Sequence, residues 1–335
     1  MKIKKLISSA ECRILLVLLL VMSPIYANVH AQTAMSVTYL HKETSLQSDP
    51  YRSEFFRVDN NPTINISTVS GDIEVIQNPG IDGVQVDLFV KREFSLWSGT
   101  RNLNNFRIII QKQGNTVIAS VEDRRSGSNQ YSSGDVKFTF IVQVPAKASL
   151  NLRTISGGIN ADGVEGQHYI QNHAGNLEII NLTGEVRVIS TAGDIKMENL
   201  NGNIFAKTVS GDILTDQNRG EVRLRTTTGN ITTTALSGTL VAATTSGNIQ
   251  SEFTEVAVGV YLETSTGNID LQLPKLAGYE IDARGLNFDF DDLIGDEVTK
   301  DIGFRNANIQ IREGGIPVNL KTVAGSIRVR ETQEQ

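Results

Sequence analysis

The chain has 335 residues, 31 Lys and Arg against 37 Asp and Glu, a formal net charge of −6, one cysteine and 6% aromatic residues. An acidic balance argues against nucleic acid or anionic membrane as a general partner, and one cysteine leaves no disulfide framework and no thiolate metal site. Gly, Thr, Ser, Asn, Val and Ile dominate, which suits an all-β chain.

Residues 1–31 read as a secretory signal peptide. Lys2, Lys4 and Lys5 form a basic n-region, and Ile14 to Met22 form an apolar run too short to span a bilayer comfortably. Cleavage is expected after Ala27 or Ala31, and Cys12 would leave with the peptide. Without residues 1–31 the chain holds 27 basic and 36 acidic residues, a net of −9. The expected location is outside the cytoplasm, in the periplasm or at the cell surface.

Residues 32–52 are polar and without period, a lead-in or spacer. Residues 53–149 are β-rich but irregular. Thr68-Val69-Ser70-Gly71-Asp72-Ile73 announces a motif that recurs 86 residues later. Strand candidates follow at 84–90, 106–110, 116–121 and 136–144. Polar stretches at 91–105, around Trp97, and at 122–134 read as protruding loops.

From residue 150 to 273 the pattern is regular. A glycine returns every nine residues from Gly157 to Gly247, and the context alternates, so the unit is eighteen residues. Two positions after the glycines stand Ile195, Ile204, Ile213, Val222, Ile231 and Ile249; four after stand Ile179, Val188, Met197, Ala206 and Leu224. Polar residues fill the positions between, the period-two mark of a half-buried strand. Leu182, Leu200, Val209 and Leu236, seven after, are a third inward set. A strand ending at a Gly-Asp or Gly-Asn corner, repeated at fixed period, predicts a parallel β-solenoid of about 18 residues per coil, two-sided or three-sided. Crossover geometry favours a right hand. Residues 274–335 are read as irregular C-terminal coils and cap, with an acidic stretch at 287–300 and a last repeat at Val323–Val329.

The Thr68–Ile73 and Thr208–Ile213 motifs resemble the hallmark of a bacterial putative-adhesin family, a domain of unknown function built as a β-solenoid. The Val142–Gly157 stretch, Val-Pro between strands entering the repeats, is similar as well. The resemblance covers roughly residues 55–330. It implies architecture and an adhesive role, and it brings no catalytic residues. The Trp97 loop and the acidic 287–300 stretch depart from it.

Thr154, Ser190, Thr208, Thr226, Thr244 and Thr264 stand three residues before alternate glycines, and Ser156, Ser210, Thr228, Ser246 and Thr266 stand one before. Stacking would align both sets as outward hydroxyl ladders, candidates for contact with glycan hydroxyls or ordered water; ordinary strand and turn chemistry is the simpler account. Asp194 and Asp212, continued by Asn176, Asn230 and Asn248, form a column that turn chemistry explains better than calcium. The acidic 287–300 stretch is read as a solvated loop before a calcium site. His168 and His173 are expected to face inward as structural residues, since two histidines make a weak metal case. Nucleophile-elbow, zincin and phosphate-loop motifs are missing, and short coils leave little room for a carboxylate groove. The expectation is an exported, non-enzymatic adhesin or scaffold with no cofactor and no metal, whose partner is a glycan or cell-surface component or an envelope protein. The alternatives are a carbohydrate-binding or carbohydrate-active β-helix, and an envelope-stress component.

Overall fold

The computed structural model describes residues 49–92, 103–124, 136–275, 277–293 and 297–332. The signal peptide with both cleavage sites, residues 93–102 of the Trp97 loop, residues 32–48 of the lead-in and residues 125–134 of the second loop lie outside the described residues. Asp49–Gln335 forms one compact unit.

The described residues are strands and turns, with a single 3-10 turn at Leu103–Asn105. One long, mostly parallel sheet winds through them. Within the glycine repeat the register is an offset of eighteen residues: Ile195 pairs with Ile213, and Val186 with Ile204. Each period-two strand therefore lays its aliphatic residues directly on those of its neighbours. Ile159, Leu177, Ile195, Ile213, Ile231, Ile249 and Ile269 form one buried column; Leu152, Ile170, Val188, Ala206, Leu224 and Ala242 form another. The winding has no separate core. Its interior is these columns, and a strand that lost its neighbours would expose its whole apolar row.

Each repeat turns two corners of different chemistry. At one corner stands the glycine followed by Asp or Asn. A side chain at Gly211, where φ is +140°, would put its Cβ 2.2 Å from the carbonyl oxygen of Gly193 one coil earlier. The other corner has a different residue type in the left-handed region: Asn181, Asn199, Gln217 and Ala235 have φ between 51° and 55°. That one residue shifts the alternation, so inward positions after the first glycine fall at two, four and seven. After the second glycine they fall at two, four and six. Leu182, Leu200 and Leu236 are accordingly buried, as expected, whereas Val209 is 45% exposed.

The ends are built differently. The strands Thr63–Ser70 and Ile73–Gln77 stack straight onto Ser149–Ser156 and Ile159–Asp162, with Thr68 opposite Thr154 and Ile73 opposite Ile159. The early motif is thus the neighbour of the regular array in space, and the 86-residue offset measures an excursion. That excursion contains the antiparallel pair Val84–Arg92 with Val136–Val144 and the hairpin Phe106–Gln113 with Thr116–Asp123. Its aromatic plug, Phe106 against Phe138 at 4.8 Å between ring centroids, seals the column end. At the other end Ile316–Ala324 and Ser326–Glu331 return to stack on Ile249–Thr266 and Ile269–Leu273. Between them the antiparallel strands Tyr279–Arg284, Asn306–Ile311 and Val298–Ile302 intervene. In the acidic stretch, Asp289 and Asp292 pair with Arg328 at 3.1 and 3.3 Å.

Candidate functional site

The expected outward ladder faces the other way. Thr154, Ser190, Thr208, Thr226, Thr244 and Thr264 are all buried, Thr208 and Thr264 completely. The reason is at the corner. The glycine carbonyl points at the glycine of the next coil, where no N–H stands, and a threonine hydroxyl fills the deficit. Thr154 Oγ1 donates to Gly71 O at 3.1 Å, Thr208 to Gly193 O at 3.3 Å, Thr226 to Gly211 O at 3.1 Å, and Thr244 and Thr264 to Gly229 O and Gly247 O at 3.0 Å. A buried carbonyl without a donor is costly, and threonine supplies the donor while its methyl fills the column. Asn172 takes the same place and donates to Gly175 O; Ser190 Oγ has no such partner. The five threonines hold coils together, and none of the six residues reaches a surface ligand.

The second hydroxyl set does reach the surface. Ser210, Thr228, Ser246 and Thr266 are exposed, Ser156 partly so, and Thr227, Thr245 and Ser265 beside them are exposed too. Ser210 pairs with Thr228, Thr228 with Ser246, and Ser246 with Thr266, so they follow one another at the strand spacing, about 4.8 Å. On the other side of the glycine runs the Asp/Asn column. Asn176 Oδ1 accepts from the backbone N–H of Asp194 at 3.1 Å, Asp194 from Asp212 at 2.8 Å, Asp212 from Asn230 at 2.7 Å, and Asn230 from Asn248 at 2.9 Å. The relay begins with Asp72 below Gly158 and ends with Asn268 below Ser326. This is turn chemistry extended between coils, and it occupies one oxygen of each side chain. A second relay, unforeseen in the sequence, runs at the other corner, Asn199 to Asn181 to Asp162 at 2.7 and 2.8 Å.

The histidines separate. His168 is buried between Leu150 and Val186, and desolvation holds it below its ordinary pKa, only partly offset by the backbone of Thr183 and Val164; neither ring nitrogen has a well-formed hydrogen bond. His173 is exposed, contrary to expectation. It stands at position seven of the half-repeat whose third inward place is position six, filled by Asn172.

The outer face of the sheet containing Glu165–Ala174 carries three aromatics that the sequence reading passed over. Tyr169, Phe205 and Tyr261 occupy one row of outward positions in register. Arg153 lies 5.2 Å over Tyr169, and Arg187 lies 4.5 Å over Phe205.

A family model described as Toastrack DUF4097 matches residues 22–219 and 214–290. The chain belongs to this family. Among solved structures, the Toastrack chain is similar to a putative adhesin from Bacteroides fragilis: 12% identity, 83% of this chain and 96% of that one, TM-score 0.41. It is similar also to a putative cell adhesion protein from Clostridium sporogenes: 12% identity, 84% and 99% covered, TM-score 0.23. A third, a putative adhesin from Parabacteroides merdae, shares 15% identity with 64% and 95% covered and a TM-score of 0.27. No curated protein matches. The Toastrack family is one of unknown function, and it assigns no roles to the side chains above. Among the described residues, no helix is long and apolar enough to cross a membrane.

Proposed function

We propose that this Toastrack protein is an exported, non-catalytic solenoid of eighteen-residue coils that binds at a bacterial surface, as an adhesin-like module does. The exposed hydroxyl ridge along the glycine corner carries this reading. Ser210, Thr228, Ser246 and Thr266 present hydroxyls at the repeat of the strands, and buried hydrogen bonds from Thr208, Thr226, Thr244 and Thr264 hold their backbone. A rigid row of donors and acceptors costs little entropy when it meets a ligand that repeats along its length, such as a polysaccharide. Many weak contacts in register then add as avidity. The basic n-region and apolar run of residues 1–31 support export.

The test is a glycan array and a cell-adhesion assay with the intact chain. Binding that falls in the triple variant Thr228→Val, Ser246→Val, Thr266→Val is the expected result. Clean negatives in both assays would overturn the reading.

A further inference from the structure

Of the three outward aromatics, Tyr261 differs. It is 40% exposed and, among the described residues, no guanidinium covers it. Its neighbours in the row are Val241 on one side and Asn319 on the other, with Asp282 beyond. A Cβ built on Gly259 would come within 3.3 Å of Tyr261 Cε2, so the ring leans over bare backbone.

The adjacent row reads Arg225, Ala243, Glu263, Lys321 and Arg284 across the same five strands. Ala243 and Val241 are short, and the long side chains on either side rise above them. The result is a shallow groove of about 300 Å³, floored by Val241 and Ala243 and walled by Tyr261 and Arg225. The far wall is set by two ion pairs, Lys321 to Glu263 at 2.7 Å and Arg284 to Asp282 at 3.0 Å. Arg225 differs from these: its guanidinium has no carboxylate partner among the described residues, and exposed Lys207 stands next to it in the row.

We infer that this groove is a binding site for an acidic saccharide, one pyranose ring lying against Tyr261 and its carboxylate meeting Arg225. Three features point to that class. An uncapped aromatic ring at a groove wall presents a face to the C–H side of a pyranose, and the capped rings of Tyr169 and Phe205 do not. A free planar guanidinium matches a carboxylate in two parallel hydrogen bonds. The ion pairs and Asn319 line the groove with donors and acceptors for sugar hydroxyls. The volume suits one or two sugar rings.

The inference rests on the surface-binding reading above but adds a site away from the hydroxyl ridge. Calorimetric titration of the intact chain with trigalacturonate and with neutral cellotriose tests it. Trigalacturonate should bind about tenfold more tightly than cellotriose, the size of one charge-assisted pair. Arg225→Gln should largely remove that preference, and added salt should weaken the wild type more than this variant. Tyr261→Ala should weaken both sugars. Both side chains are on the surface, so unchanged melting should accompany the losses. Equal affinity for the two sugars, or undiminished binding in both variants, would overturn the groove. Sugar binding that is lost in the ridge triple variant and kept in the groove variants overturns the groove and leaves the surface-binding reading standing. No binding of any saccharide or cell sinks both.

Discussion

Gly211→Ala tests whether glycine at the corner is required by stacking or only by local backbone preference. The added Cβ would lie 2.2 Å from the Gly193 carbonyl oxygen and 2.6 Å from its carbon, at φ +140°. Both obstacles are backbone, so no side chain can swing away. The two coils must part by roughly 1 Å before carbon and oxygen reach ordinary contact. Parting them stretches the ladder bonds between these two coils, such as Gly193 N to Ser210 O and Ile195 N to Asp212 O, both 2.9 Å. Overpacking of this kind costs about 1–3 kcal/mol, and an L-residue at that φ costs about 1–3 kcal/mol more. The expected loss is therefore about 2–6 kcal/mol, or a fall in Tm on the order of 5–20 °C. Gly114→Ala is the internal control. Its φ is +58° and nothing lies within 4 Å of the added Cβ, so only the left-handed penalty of about 1–2 kcal/mol applies. Denaturant melts of both variants decide the matter. If Gly211→Ala loses no more than Gly114→Ala, stacking is not what demands the glycine.

Thr226→Val should cost about 1–3 kcal/mol by leaving the Gly211 carbonyl without its donor, while the exposed Thr228→Val should stay within about 0.5 kcal/mol; chemical denaturation compares them. Burial lowers the folded pKa of His168 below its ordinary 6.5. The unfolded chain thus binds that proton more readily, and stability is unaffected above about pH 6.5 and lost as pH falls through it, by at most about 1.4 kcal/mol per pH unit. His168→Leu should remove this component, and denaturation curves at pH 7.5 and pH 5 that shift equally in both proteins would contradict it. Ala235 stands at φ 51° where two earlier coils have Asn181 and Asn199. Ala235→Asn should raise stability by about 0.5–1 kcal/mol, read as a higher denaturation midpoint.

Periodicity made the inward columns legible because a stacked winding repeats its environment at every period. Ile195, Ile213 and Val222 had to face the same way once the glycines set the phase. The same logic failed where the chain leaves the plain alternation. The left-handed corner at Asn181, Asn199, Gln217 and Ala235 carries no single residue type, so its effect on phase was invisible. Val209 and His173 were assigned inward for that reason. Polarity misled in the Thr154–Thr264 series: threonine looked like a surface residue because the acceptor it serves, a glycine carbonyl of the preceding coil, is fifteen to eighty-three residues away.

By itself the sequence determined the strand-and-corner unit, the inward aliphatic rows and the Gly-Asp or Gly-Asn turn, all of which are local demands of backbone conformation and solvent. Tertiary structure decided what depends on distance along the chain. It placed Thr68 on Thr154 across an 86-residue excursion. It turned one hydroxyl ladder into an internal tie and left the other on the surface. It also brought Arg225, Tyr261 and Lys321 onto one face, residues from three strands whose spacing in sequence carries no sign of a shared groove.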